Sequence, residues 1–137
     1  MSDQKITAEE RELAEKIGLA PQPDPIHNDL PSAHDLVIGS IKEHFDLRAE
    51  PELTDAALRR MYNDLLEMYV VLSGGARPAI KELRARKEFG LRKYGTPLQP
   101  HNGRDQVGDA RDEMGDLLVY VVCEIYEGMY PKEGSGE

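Results

Sequence analysis

Asp105-Gln106-Val107-Gly108-Asp109-Ala110-Arg111-Asp112-Glu113-Met114-Gly115-Asp116-Leu117-Leu118-Val119-Tyr120-Val121-Val122-Cys123-Glu124-Ile125-Tyr126 is the stretch on which the fold turns. Wound at about 100° per residue with Asp109 at the origin, it places Asp105 at about −40°, Asp112 at about −60°, Asp116 at about −20°, Glu113 at about +40° and Tyr120 at about +20°. Five carboxylates therefore share one stripe. Val107, Ala110, Met114, Leu118, Val121 and Ile125 gather on the opposite side, so the stretch reads as a long, sharply amphipathic helix. Like charges three or four residues apart each cost a helix about 0.2–0.5 kcal/mol, and Asp109/Asp112, Asp109/Glu113, Asp112/Asp116 and Glu113/Asp116 all repeat that penalty. Something positive is expected to offset it. A basic neighbour such as Arg86 or Lys93 would do so structurally, and a Mg²⁺ ion, which prefers oxygen ligands, would do so functionally.

Upstream, Tyr94 to Arg104 carries Gly95, Pro97, Pro100 and Asn102-Gly103 and reads as an ordered loop, with Asp105 capping the helix that follows. Before the loop, a helix is expected from a first turn containing Pro78 to about Lys93, and Ser73-Gly74-Gly75 ends another that Thr54 or Asp55 caps and that runs to Leu72. Asp35 to Phe45, with Leu36, Val37, Ile38, Ile41 and Phe45 largely on one face, makes a further core helix. Pro21, Pro23, Pro25 and Pro31 form a tether in front of it. Thr7-Ala8-Glu9-Glu10 has capping-box spacing and opens a short charged helix to about Gly18, whose apolar stripe is Leu13, Ala14 and Ile17. Downstream, Gly128 and Pro131 stop the last helix. The expected architecture is all-α: an N-terminal arm over residues 1–31, a bundle of about four core helices over 32–130, and a tail over 131–137.

Charge and composition narrow the function. Acidic side chains outnumber basic ones by 26 to 17, for a formal net charge of −9, which opposes general binding to nucleic acid or an anionic membrane. Residues 76–104 hold eight basic and two acidic residues, whereas residues 105–137 hold two basic and nine acidic ones. A basic helix and loop preceding an acidic helix is also what two complementary solvated faces would look like. The apolar run Leu117 to Cys123 is far too short to span a bilayer, and the opening Met-Ser-Asp-Gln-Lys lacks a signal-peptide core, so a cytoplasmic protein is expected. The one cysteine, Cys123, has no second thiol for a disulfide or a zinc cluster, and His27, His34, His44 and His101 show no close-spaced ligand pair.

Asp112 to Val122 closely resembles the second metal-binding helix of the MazG-like, all-α nucleoside triphosphate pyrophosphohydrolases, whose pattern is Glu-Glu-x-x-Asp followed by an apolar run. Arg86-Lys87-Glu88-Phe89-Gly90-Leu91-Arg92-Lys93-Tyr94-Gly95-Thr96-Pro97-Leu98-Gln99-Pro100-His101-Asn102-Gly103-Arg104-Asp105 is similar to a segment of the small MazG-like proteins of phages and actinobacteria. Together these cover roughly residues 78–126. The resemblance implies hydrolysis of a nucleoside triphosphate, ribo or deoxy, to the monophosphate and pyrophosphate. It implies Mg²⁺, with Mn²⁺ as a substitute, held by acidic residues of two adjacent helices. Glu113 and Asp116 occupy the strongest ligand positions, Asp112 stands where the family has Glu, and Asp109 extends the acidic set. The family's partner motif, Glu-Glu-x-x-Glu, has no counterpart between residues 76 and 104. Glu82, which shares a helix face with Arg86 and Lys93, is the preferred substitute as ligand or base, and Glu88 the reserve; Asp64 and Glu67 on the preceding core helix form another pair.

A triphosphate needs a divalent metal for some of its oxygens and Arg or Lys donors for the rest. The acidic helix supplies the first; Arg86, Lys93 and Arg104 supply the second. Tyr94 and Tyr120 are candidates to stack on a base, though tyrosines at helix ends and faces also serve packing. A carboxylate not spent on the metal, Glu82 or Glu113, is the candidate proton acceptor. His101 reads as an exposed loop histidine. The resemblance further implies a homo-oligomer, a dimer or tetramer. The competing expectation is a non-catalytic helical interaction or nucleotide-binding protein that keeps a degenerate form of this site.

Overall fold

The computed structural model of the chain describes residues 7–19 and 23–132, and every regular element among them is a helix. The opening pentapeptide, Pro21 of the tether and residues 133–137 of the tail lie outside the described residues. Five helices follow in order: α1 (Ala8–Lys16), α2 (Ala33–His44), α3 (Asp55–Ser73), α4 (Ala76–Tyr94) and α5 (Gln106–Met129).

Local chemistry accounts for most of their ends. The Thr7, Ser32, Thr54 and Asp105 side chains each accept a hydrogen bond from the backbone N–H three residues on, at 3.0–3.1 Å, satisfying donors that the first turn leaves unpaired. Ser32 explains why α2 begins two residues before the expected Asp35. Gly74 closes α3 at φ 86° and Gly75 follows at φ 138°, two backbone states that a Cβ disfavours, so the chain reverses within two residues. Pro78 falls in the first turn of α4 as expected, where its missing N–H costs nothing. The last helix runs through Gly128, which was expected to stop it. A glycine weakens a helix by about 1 kcal/mol without forbidding it. Here the Tyr126 and Tyr130 rings stack with centroids 4.8 Å apart, the Tyr130 N–H bonds to the Tyr126 carbonyl at 2.8 Å, and Pro131 comes next.

The helices fall into two compact units. One comprises Pro25–Glu50 and the described part of Gly103–Glu137, in which α2 packs on α5. The other comprises the described part of Ile6–Asp24 and Pro51–Asn102, in which α3 folds back on α4 and α1 is included. In this second unit Ala57, Met61, Leu65 and Tyr69 form the half-buried stripe of α3, at a spacing of four. On α4, Ala79 is buried and Glu82, Ala85 and Phe89 are half-buried. Ala14 and Ala79 are the buried residues among those described, so the faces of α2 and α3 expected to be core are at most half-covered.

The amphipathic reading of α5 needs a correction in the same sense. Of the stripe expected to face inward, Met114 is half-buried, Ala110 is exposed, and Val107, Leu118, Val121 and Ile125 remain 41–55% exposed. Gly108, Asp109, Asp116, Leu117, Val119, Val122 and Tyr126 are half-buried as well. A helix pair buries the flank that its one partner reaches, and the flank facing the α2 cleft runs from Asp112 and Asp116 to Leu118 and Val119, taking in only part of the apolar stripe.

Candidate functional site

Two faces meet in the α2–α5 unit to form an open cleft of about 380 Å³. From α2 come His34, Val37, Ile38 and Ile41, which recur at helical spacing on one face. From α5 come Arg111, Asp112, Gly115, Asp116, Leu118 and Val119. Aliphatic side chains thus make one wall, and a guanidinium with two carboxylates edges the other. Asp112 and Asp116 are one helical turn apart, so their carboxylates stand on neighbouring positions of the same face.

The carboxylates of α5 differ in what holds them. Asp105 is used as the N-cap, bonding the Gly108 N–H at 3.0 Å. Asp109, on the last residue of the first turn, receives the Arg104 Nε at 3.0 Å. Asp112 has the Arg111 guanidinium at 3.9 Å, a contact too long for a hydrogen bond. Asp116 is half-buried and has no ion pair or hydrogen bond among the described residues. Glu113 is exposed, as is Tyr120 at 65%. The expected counter-charges Arg86 and Lys93 are bound elsewhere; the cations paired with the acidic stripe are Arg104 and Arg111.

The α3–α4 unit holds the other predicted residues. Glu82 and Arg86 form an i,i+4 ion pair at 3.1 Å, with Glu82 the more covered of the two. Glu88 does the same with Arg92 at 2.6 Å. Lys93 bonds the Glu10 carboxylate at 2.5 Å and lies 5.3 Å from the centroid of the Tyr94 ring. That bond from Lys93 holds the Glu10 carboxyl below its ordinary value, and the same bond holds the Lys93 ammonium above its own. The loop histidine His101 is exposed, with φ 58° in the left-handed region. A shallow depression on α3, lined by Leu58, Arg59, Tyr62 and Asn63, offers one cation, and Arg59 is already paired with Asp55 at 2.9 Å.

No group of three or more His, Cys, Asp or Glu side chains converges on a common point among the described residues. Mg²⁺ does not require one. It commonly takes one or two protein carboxylates and completes its octahedron with waters and substrate phosphates. Asp112 and Asp116, one turn apart at an open cleft, fit that donor set. Sequence reasoning found these two acids but missed the wall opposite them, His34, Val37, Ile38 and Ile41, and missed Arg111 and Glu10. The apolar spacing of α2 was visible; which helix it faces was not. No helix among the described residues is long and apolar enough to cross a membrane. No family model, curated protein or solved structure matches the chain.

Proposed function

We propose that the chain hydrolyses a nucleoside triphosphate to the monophosphate and pyrophosphate with Mg²⁺, in the manner of the MazG-like proteins its sequence resembles. The observation that carries the reading is Asp116: a half-buried carboxylate without a partner, beside Asp112, on the edge of an apolar cleft. A like-charge pair on a helix flank costs stability unless a cation completes it. Asp112 and Asp116 would hold Mg²⁺, which when bound neutralises phosphate oxygens and lowers the pKa of a bound water. Arg111 lies beside Asp112, and Arg104 pairs with Asp109 on the preceding turn; both suit the oxygens that remain, since a guanidinium binds phosphate through paired N–H donors. Val37, Ile38, Ile41, Leu118 and Val119 provide an apolar wall of the kind a nucleobase packs on. Glu113, exposed one position from Asp112, would accept the proton of the attacking water. As the water oxygen bonds to phosphorus, the bridging P–O bond breaks and pyrophosphate leaves.

The same proposal includes a cytoplasmic location and a homo-oligomer, a dimer or tetramer. The exposed apolar stripe of α5, with Tyr62, Val71 and Leu72 of α3 at 65–73% exposure, supports assembly. That exposure equally favours the second reading, a helical interaction protein with a degenerate site. Purified protein incubated with each common NTP and dNTP, with Mg²⁺ and then Mn²⁺, separates them. Release of pyrophosphate supports hydrolysis; silence across the whole panel supports the interaction protein.

A further inference from the structure

The two long helices of the α3–α4 unit present apolar side chains that their own pairing does not cover. On α3, Leu58, Tyr62 and Leu66 each follow by one residue a member of the half-buried stripe, Ala57, Met61 and Leu65. On α4, Ile80 and Leu83 follow the covered Ala79 and Glu82 in the same way, and Lys87 and Tyr94 repeat the position of Ile80 one and two heptads on. One residue is a rotation of about 100°. Gly74 and Gly75 turn the chain back on itself, so α3 and α4 run antiparallel, and rotation in the same sense on two antiparallel helices leads to the same side of the pair. Leu58, Tyr62, Leu66, Ile80, Leu83 and Tyr94, 46–67% exposed, therefore make one apolar face of two helices, with the shallow depression at Leu58, Arg59, Tyr62 and Asn63 set in it.

A second copy of the chain fits this face by area and by charge. With about 180–230 Å² for a fully exposed Leu, Ile or Tyr, the six residues offer about 600 Å², most of the roughly 800 Å² per partner that a stable interface takes. The α4 helix carries seven basic and two acidic side chains, whereas α3 carries two basic and three acidic ones. Setting α4 on α3 of the second copy meets unlike charge, while α4 on α4 would bring two basic helices together. The apolar stripe of α5 is exposed too, but α5 carries six acidic side chains against one basic, which opposes pairing it with itself.

We propose that two α3–α4 units pair through this face into a four-helix bundle, α4 of each copy lying on α3 of the other about a two-fold axis parallel to the helices. The inference rests on the homo-oligomer proposed above and names the surface that builds it. Such an axis keeps every residue at its height, so each α4 side chain meets, on the second copy's α3, the residue that stands level with it in its own helix pair. Counted outward from Gly74-Gly75, Leu83 is level with Leu66, and Lys87 with Tyr62. Leu83 thus packs on Leu66 of the partner subunit. Lys87, which has no ion pair among the described residues, lays its stem in the depression at Tyr62 of the partner subunit and its ammonium over the ring.

The test is light scattering of the full chain at micromolar concentration, with circular dichroism to follow the helices. Leu83→Glu should halve the particle mass with helix content unchanged, whereas Ile125→Glu, on the exposed stripe of α5, should leave the wild-type mass. A second measurement does not depend on Leu83→Glu folding: Tyr62→Cys and Lys87→Cys chains, each also Cys123→Ser, are mixed, left to exchange and treated with a mild oxidant. A disulfide-linked dimer should form in the mixture well above the level in either chain alone. An unchanged mass for Leu83→Glu, dissociation by Ile125→Glu instead, or no linked dimer in the mixture would each overturn this face while leaving assembly through another surface standing. A monomeric wild type would overturn the oligomer and the face together, and pyrophosphate release by the wild type is independent of both.

Discussion

Asp116→Asn offers a change of sign that separates a metal site from an ordinary charged helix face. In the apo protein Asp116 meets Asp112 at i−4 and Glu113 at i−3, with no compensating partner of its own among the described residues. Each like-charge pair costs about 0.2–0.5 kcal/mol, so removing both stabilises the apo protein by about 0.4–1 kcal/mol. With an unfolding entropy of about 2.1 cal/mol/K per residue over 137 residues, that is a rise in Tm of about 1.5–3.5 °C. Mg²⁺ acts in the opposite sense on the two proteins' difference. At ten times its Kd it stabilises the wild type by RT ln 11, about 1.4 kcal/mol or about 5 °C, and the variant by little or nothing. The assay is a thermal melt of both proteins at one fixed concentration, with Mg²⁺ and with chelator. A wild type that melts at the same temperature in both buffers, or an Asp116→Asn that melts lower than wild type in chelator, refutes the reasoning.

Three further outcomes follow from particular contacts. Glu10, held below its ordinary value of 4.5, stabilises α1 docking fully above that pH and loses the contribution as pH falls through the lowered value; Lys93, held above 10.5, contributes fully below that pH and loses it as pH rises through the raised one. The Ala14 methyl shift in an NMR titration should therefore move at both ends and stay flat between, and a shift indifferent to both would contradict the docking. The Tyr69 hydroxyl is buried with no hydrogen-bond partner among the described residues, so Tyr69→Phe should raise stability by about 1 kcal/mol, measured by urea unfolding; a loss of that size would mean the hydroxyl is paired. Light scattering at micromolar concentration should give a multiple of 15.4 kDa, and the monomer mass would refute assembly.

What could be read in the sequence was local. Thr7, Thr54 and Asp105 announce their helices because a cap is a bond across three residues, and Gly74-Gly75 announces the reversal because few other residues tolerate those dihedrals. The acidic stripe of α5 was legible for the same reason: periodicity alone assembles it. What could not be read was choice of partner. The apolar stripe of α5 predicts a buried side but not which helix buries which flank, and the cleft against α2 takes in Asp112 and Asp116 as well as Leu118 and Val119. Arg104 and Arg111 hold the counter-charge role assigned to Arg86 and Lys93, which pair with Glu82 and Glu10. A bond spanning 83 residues has no local signature.

The central claim is that water cleaves between the α- and β-phosphates under the control of the α5 carboxylates, and phosphorus NMR of the products tests it most directly. Wild type with Mg²⁺ and its best NTP should yield monophosphate and pyrophosphate in equal amounts, and Asp116→Asn should yield neither at a comparable rate. Diphosphate and inorganic phosphate as products, or an Asp116→Asn as active as the wild type, would contradict the account.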